Sequence, residues 1–199
     1  MSNLSIVVPV YFNDLSLYKV IDKCISNIKK YYPNEELIII DDCSPYETKE
    51  WIDRADQSIE CIDNSGYTVA VISGMEVASC DKIVVINDDV FIREGDLDRF
   101  YNMDYGIYSP KTSDEGQGDR FGSIWGTTKK TLDTLGYLNP KLRHFFSDAE
   151  YYDRAKKMRV PIYKWNDIIV EHLGGKTYET INKEELYNAD HDIYRKITS

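Results

Sequence analysis

Apolar and polar positions alternate along the chain in short runs of two different periods. Ser5-Ile6-Val7-Val8-Pro9-Val10-Tyr11 is a compact apolar run bounded by polar residues, the pattern of a strand buried on both faces. Pro9 has no amide to donate, so it sets the functional end of that strand at the edge of the ladder. After Asn13-Asp14, apolar residues at Leu17, Val20, Ile21, Cys24, Ile25 and Ile28 recur at helical spacing until Tyr32-Pro33 stops the helix. Residues 36–42 predict a second buried strand, and Ser44-Pro45-Tyr46-Glu47 reads as a capping box opening a helix that runs to Ala55. A short strand over residues 59–62, a turn at Asn64-Ser65-Gly66 and a helix over 68–79 follow. The next strand, Lys82 to Val90, ends in Asn87-Asp88-Asp89.

Strands alternating with helices through short connections predict an α/β fold, with a mostly parallel central sheet covered by helices on both faces. The second half is less regular. Residues 105–109 and 121–126 read as strands, and the loop-like stretch 110–119 between them is either a mobile lid or an ordinary surface loop. Helices are predicted over 127–135 and 148–158, the second with Ser147 and Glu150 as its capping box. Short strands over 162–165 and 168–171 and a polar-faced helix over 182–193 complete the pattern. There is no internal repeat and no low-complexity segment.

Composition narrows the class. With 199 residues, 42% of them hydrophobic, the chain can bury one good core and is most simply a single domain over residues 1–199. No stretch reaches the roughly 20 apolar residues of a membrane span, and Met1-Ser2-Asn3-Leu4 has no basic signal region, so a cytoplasmic protein is expected. Cys24, Cys43, Cys61 and Cys80 form no C-x-x-C pair and read as reduced thiols in or near the core. The net charge of −10 argues against a surface built for nucleic acid or anionic membrane. Residues 120–164 nevertheless carry ten basic against four acidic side chains, either a solvated helix face or a local surface for a phosphate-bearing substrate or nucleic acid.

Chemistry enters at the strand ends. Ligands of open α/β sheets bind in the crevice at the carboxyl ends of the strands. Two strands here end in paired acids, Asp41-Asp42 and Asp88-Asp89. Taken singly, either pair simply starts a polar turn. Together they gather uncompensated carboxylates along one crevice, which suits a hard divalent cation or a hydrogen-bonding ligand. A nucleoside diphosphate with its metal supplies both.

In their order and spacing these segments resemble the family 2 glycosyltransferases of the GT-A fold, over about residues 4–178, in a rhamnosyltransferase-like branch. The first strand with Pro9, Val10, Tyr11 and Asn13 looks like the family's nucleotide-binding opening. Ile39-Ile40-Asp41-Asp42-Cys43-Ser44 looks like its "V-D-D-G-S" segment, and Asn64-Ser65-Gly66 with Ala70 and Ser73-Gly74 resembles its "N-x-G … N-x-G" segment. Asn87-Asp88-Asp89 occupies the D-x-D position, with Asn87 in place of the first acid, a departure that bears on ribose contacts and donor choice. The resemblance implies a Rossmann-like sheet with a small acceptor-side subdomain, divided into a nucleotide-sugar-binding half (residues 1–92) and an acceptor-side half (93–199). It implies that Asp89 binds the metal, Mn²⁺ or Mg²⁺, on the diphosphate of a UDP-, dTDP- or GDP-sugar.

Phe145-Phe146-Ser147-Asp148-Ala149-Glu150 resembles the family's "F-x-E-D-x-D" segment, which makes Asp148 the general base. Ser147 departs from the usual glutamate. Glu150 belongs to the helix cap or is the fallback base, and Arg154 matches the family's downstream arginine. His172-Leu173-Gly174-Gly175-Lys176-Thr177 resembles the late "H-x-G-G-x-S" element, whose histidine completes the metal site or touches the diphosphate. His144 and His191 have no comparable context. Trp125 and Gly126 fall where the family builds its acceptor side, so Trp125 is either a stacking floor or a core residue. Trp125, Gly126, Glu150 and Arg154 thus stand as the acceptor-binding expectation.

The implied activity is a metal-dependent, inverting transfer of a sugar from a nucleotide sugar to a hydroxyl, the acceptor being a saccharide or a lipid-linked saccharide. A hydroxymethylated base in DNA is the alternative acceptor, met by the basic segment. Nucleotidyl transfer would require a Gly-rich phosphate loop where this chain has Val10-Tyr11-Phe12-Asn13. A non-catalytic sugar-nucleotide or glycan-binding module is the rival outside enzymes, hinted at by Asn87 and Ser147.

Overall fold

The computed structural model describes residues 2–114, 122–176 and 182–198. Four parallel strands form the first part of one eight-stranded sheet: β1 (Ser5–Val10), β2 (Glu36–Asp41), β3 (Gln57–Glu60) and β4 (Lys82–Ile86). Between them run α1 (Tyr18–Tyr31), the one-turn α2 (Lys49–Ile52) and α3 (Tyr67–Val77). The chain then adds β5 (Val90–Phe91), β6 (Ile107–Thr112), β7 (Ile124–Thr128), α4 (Lys129–Leu135), α5 (Ser147–Lys157), β8 (Ile162–His172) and α6 (Lys183–Thr198). Strand order is β3-β2-β1-β4-β7-β6-β8-β5, with β7 antiparallel to both β4 and β6, and β8 parallel to β6.

Period-two alternation decides what each strand contributes to the core. Ile6, Val8 and Val10 of β1, Leu37 and Ile39 of β2, and Val84 and Ile86 of β4 pack on one face with α1 and Trp51. Val7, Ile38, Ile40, Ile83 and Val85 pack on the other face with α3, α4 and α5. Every residue of β1 and β2 is buried, as their unbroken apolar runs require. Pro9 sits where the expected edge lies, because β1 pairs with β4 only through Val7 and the proline is asked for no amide on that side.

Several boundaries differ from the sequence pattern. Ser44-Pro45-Tyr46-Glu47 is not a capping box: the Ser44 hydroxyl accepts from the Phe12 amide at 2.8 Å, and α2 starts only after Thr48. β3 lies two residues earlier than its apolar run because it is an edge strand with alternating exposure. β6 extends through Thr112, so the first residues of the expected loop are strand, while 115–119 of that loop lie outside the described residues. The two strands expected over 162–171 are one, β8, whose register against β6 shifts between Pro110 and Lys111. All four cysteines are free thiols, Cys24 fully buried. No helix among the described residues is long and apolar enough to cross a membrane.

Candidate active site

The carboxyl ends of β1, β2 and β4 open on a cavity of about 260 Å³. Pro9, Val10 and Tyr11 line it from β1, Asp42 and Asn64 from the loops beside β2, and Asn87, Asp88 and Asp89 from the turn after β4. After Asp42 the left-handed Cys43 (φ 61°) turns the chain back. Asp42 then takes three donors from the start of α3: the Ser65 amide at 2.8 Å, the Ser65 hydroxyl at 2.9 Å and the Gly66 amide at 2.8 Å. Gly66 has φ 91°, and a Cβ there would stand 2.8 Å from the Arg143 carbonyl oxygen, so only glycine fits. Asn64 and Gly66, expected to bind the donor, thus also pin α3 to the sheet. Asp41 and Asn13 do not line the cavity. The Asp41 side chain turns back into the fold and accepts from the Ser44 amide (2.9 Å) and the Thr48 hydroxyl (2.6 Å).

Asp89 is the centre of a second construction. β5 pairs with β8 so that Val90 faces His172, and this sets the imidazole against the carboxylate. His172 Nε2 lies 3.1 Å from Asp89 Oδ1, and its Nδ1 lies 3.0 Å from Asp114 Oδ1. Gly174 (φ 82°) and Gly175 (φ 75°) then reverse the backbone and aim the amides of Gly175 and Lys176 at Asp89 Oδ2, at 2.8 and 3.0 Å. Burial works to raise the Asp89 pKa, but His172 and the two amides hold it below the usual range. Burial works to lower that of His172, and the two carboxylates carry it above its ordinary value. Oxygen and nitrogen donors 3.1 Å apart fit the ligand set of a divalent cation in place of the proton between them. Among the described residues no three or more His, Cys, Asp or Glu side chains cluster to hold a metal alone.

A second cavity, of about 310 Å³, contains Asp148, Ser123, Asp114 and His172 in its walls. It shares Tyr67, Asn87, His144 and Gly175 with the first, so the two cavities adjoin. Asp148 lies in the first turn of α5, where the helix dipole favours its carboxylate form. The expected Ser147–Glu150 capping box does not form: the N-cap is Phe146, left-handed at φ 62° and without a side-chain cap. Aromatic packing from α6 holds that backbone, with Tyr194 stacked at 5.2 Å and Tyr187 at 4.9 Å from the Phe146 ring. The buried Asp190 of α6 accepts from the successive amides of Arg143, His144 and Phe145 at 3.1, 2.8 and 2.8 Å. The Arg143 guanidinium reaches the Asn64 and Ser65 carbonyls at 2.6 and 3.3 Å. Burial, then Arg143, lowers the pKa of His144 and keeps its imidazole neutral.

The four residues of the acceptor-side expectation fall in different places. Trp125 is 1% exposed, packs on Tyr151 and stands in the wall of the second cavity. Gly126 lines neither cavity, and a Cβ there would meet the Phe100 ring at 2.6 Å. Glu150 and Arg154 form a two-pronged ion pair at 2.8 Å, and Arg154 also caps the Leu135 and Tyr137 carbonyls at the end of α4. They frame α5 and line neither cavity. Sequence reasoning missed Tyr67, Asp114, Arg143 and Asp190. Only the step from Gly66 to an aromatic residue at a helix start hinted at any of them.

The profile described as Glycosyl transferase family 2 matches residues 5–103. No curated protein sequence matches the chain. Among solved structures, the mannosyltransferase PcManGT from Pyrobaculum calidifontis in complex with GDP-Man and Mn²⁺ superposes with a TM-score of 0.70 at 15% identity, covering 89% of this chain and 59% of that one. S. aureus TarS 1–349 gives 0.67 at 15% identity, with 86% and 60% covered. The S. aureus TarS structure gives 0.65 at 15% identity, with 95% and 38% covered. This chain spans less than two thirds of the length of each. At that identity the likeness is one of fold, the GT-A arrangement.

Proposed function

The chain belongs to glycosyl transferase family 2 through residues 5–103, and on that premise we propose that it is a metal-assisted glycosyltransferase moving a sugar from a nucleoside-diphosphate sugar to an acceptor hydroxyl. The observation that carries this reading is the adjacency of the two cavities, which share four wall residues, with Asp88 and Asp89 in the wall of one and Asp148 in the wall of the other. The nucleotide occupies the strand-end cavity. The acceptor approaches from the Asp148 side, and the sugar passes between them.

Each residue then has a stated task. Pro9 to Tyr11, Asp42 and Asn64 surround the nucleoside. The buried Asn87 Oδ1 has no hydrogen-bond partner among the described residues and suits a ribose or sugar hydroxyl. Asp89 Oδ1 and His172 Nε2 would hold the cation, with Asp114 3.0 Å from Nδ1 on the other side of the ring. When bound, Mn²⁺ or Mg²⁺ offsets the charge that develops on the departing diphosphate. GDP-Man and Mn²⁺ in the Pyrobaculum calidifontis structure support such a pairing here. Asp148 accepts the proton of the acceptor hydroxyl as that oxygen bonds to the anomeric carbon and the bond to the diphosphate oxygen breaks. A single displacement of this kind inverts the anomeric centre.

A saccharide or lipid-linked acceptor is favoured over DNA, because the chain carries a net charge of −10 and several bases of the positive segment already have protein partners. Lys129 bonds the Ser79 carbonyl, Lys130 pairs with Asp104, and Arg154 with Glu150. The four free thiols support a cytoplasmic setting. A screen of UDP-, dTDP- and GDP-sugars for Mn²⁺-dependent hydrolysis and thermal stabilisation tests the reading without an acceptor. One donor class is expected to score in both assays. If none is bound or hydrolysed, the reading fails.

A further inference from the structure

Tyr67 opens α3 immediately after the left-handed Gly66 and is one of the four residues common to both cavities. Its position is fixed from three sides. The Gly66 amide is anchored on Asp42 at 2.8 Å, the Thr68 amide on the Arg143 carbonyl at 3.0 Å, and the buried Trp125 indole donates to the phenolic oxygen. With that oxygen occupied as an acceptor, the phenol keeps its own proton to donate. Burial raises its pKa, and Asp148, Asp89 and Asp88 raise it further, so the group stays neutral. All three carboxylates therefore act on Tyr67 together. It lines both the cavity that carries Asp88 and Asp89 and the one that carries Asp148.

A cationic side chain at that seam would pair with the acids. A neutral hydroxyl donor instead matches the oxygen of a sugar hydroxyl, and a site built to hydrogen-bond a hydroxyl discriminates strongly against an analogue that lacks it. Resting on the proposed function, we infer that Tyr67 Oη donates a hydrogen bond to a hydroxyl oxygen of the donor's sugar, making Tyr67 a determinant of which nucleotide sugar is accepted.

Calorimetric titration with Mn²⁺ tests this, using UDP, dTDP and GDP and their hexose conjugates against the wild-type protein and Tyr67→Phe. The free diphosphates are expected to bind both proteins alike, while the extra affinity contributed by the sugar falls roughly tenfold in the variant. One monodeoxy donor should lose the same factor on the wild-type protein and nothing further on Tyr67→Phe. An equal sugar contribution in both proteins overturns the assignment, as does a parallel loss for diphosphate and conjugate, which marks a structural role. Should Tyr67→Phe not fold, the deoxy series on the wild-type protein decides, and a series with no position losing more than about twofold is contrary. Wild-type protein that binds no diphosphate sinks the proposed function itself, and the Tyr67 assignment with it.

Discussion

At the start of β2, Glu35 and Glu36 are bound up by the protein itself. Glu35 takes the Asn3 and Leu4 amides, both at 2.7 Å, and the Tyr101 hydroxyl at 2.9 Å. Glu36 takes the Ser79 amide at 2.9 Å, the Gln57 side chain at 2.6 Å and the Ser5 hydroxyl. At the opposite end of the same sheet, Asp42, Asp88 and Asp89 line a cavity. Strand polarity explains the contrast: the beginnings of parallel strands present amides, which take up carboxylates, whereas their ends present carbonyls. Amides reach Asp42 and Asp89 only because the chain returns through Ser65-Gly66 and Gly175-Lys176. One end of the sheet is therefore frame and the other is site. Substitutions at the two ends should separate stability from chemistry.

The largest effect is expected at Asp148. Asp148→Asn should lower turnover by roughly 10²- to 10⁴-fold while leaving the melting temperature and donor affinity in place, as steady-state kinetics beside calorimetry would read. Near-full activity would remove Asp148 as the base. Glu150, two residues on, belongs to the frame: Glu150→Ala leaves Arg154 only the Leu135 and Tyr137 carbonyls and should cost about 1.5 kcal/mol in denaturant unfolding, with donor affinity kept in the folded protein. Weakened donor binding with unchanged stability would reverse that assignment. Gly175→Ala puts a side chain at φ 75° and disturbs the amides on Asp89, so a loss of about 1 kcal/mol should accompany weaker Mn²⁺-dependent donor binding. The mildest case is pH. Burial opposes the Glu36 charge, but its hydroxyl, amide and side-chain donors hold its pKa below 4.5. Its contribution is present above that pH and disappears as pH falls through the lower folded value. Glu36→Gln should flatten the acid limb of the stability curve, and an unchanged limb would contradict this.

How much of this was legible varies by region. β1, β2 and β4 are compact apolar runs, and acids follow β2 and β4 directly in sequence, so sheet and crevice could be read together. Asp41 and Asp42 could not be told apart, because which carboxylate faces the cavity depends on the left-handed turn at Cys43. Asp148 and Glu150 were also read as neighbours in one motif, although helical geometry turns one toward the cavity and the other toward Arg154. Arg143 and Asp190 were invisible, since their roles consist of contacts with residues 79 and 47 positions away. The alternation of β7 fits a cavity wall and a core wall equally well, and only its neighbours decide that Trp125 backs a cavity while Gly126 packs against Phe100.

The central claim is that Asp89, gripped by His172 and the Gly174-Gly175 turn, is the metal and diphosphate end of a transfer site. Thermal unfolding of wild type and Asp89→Ala, each with a saturating nucleotide sugar in the presence and absence of Mn²⁺, tests it most directly. The expected result is a Mn²⁺-dependent rise in the wild-type melting temperature that disappears in Asp89→Ala. Equal stabilisation of both proteins would contradict it.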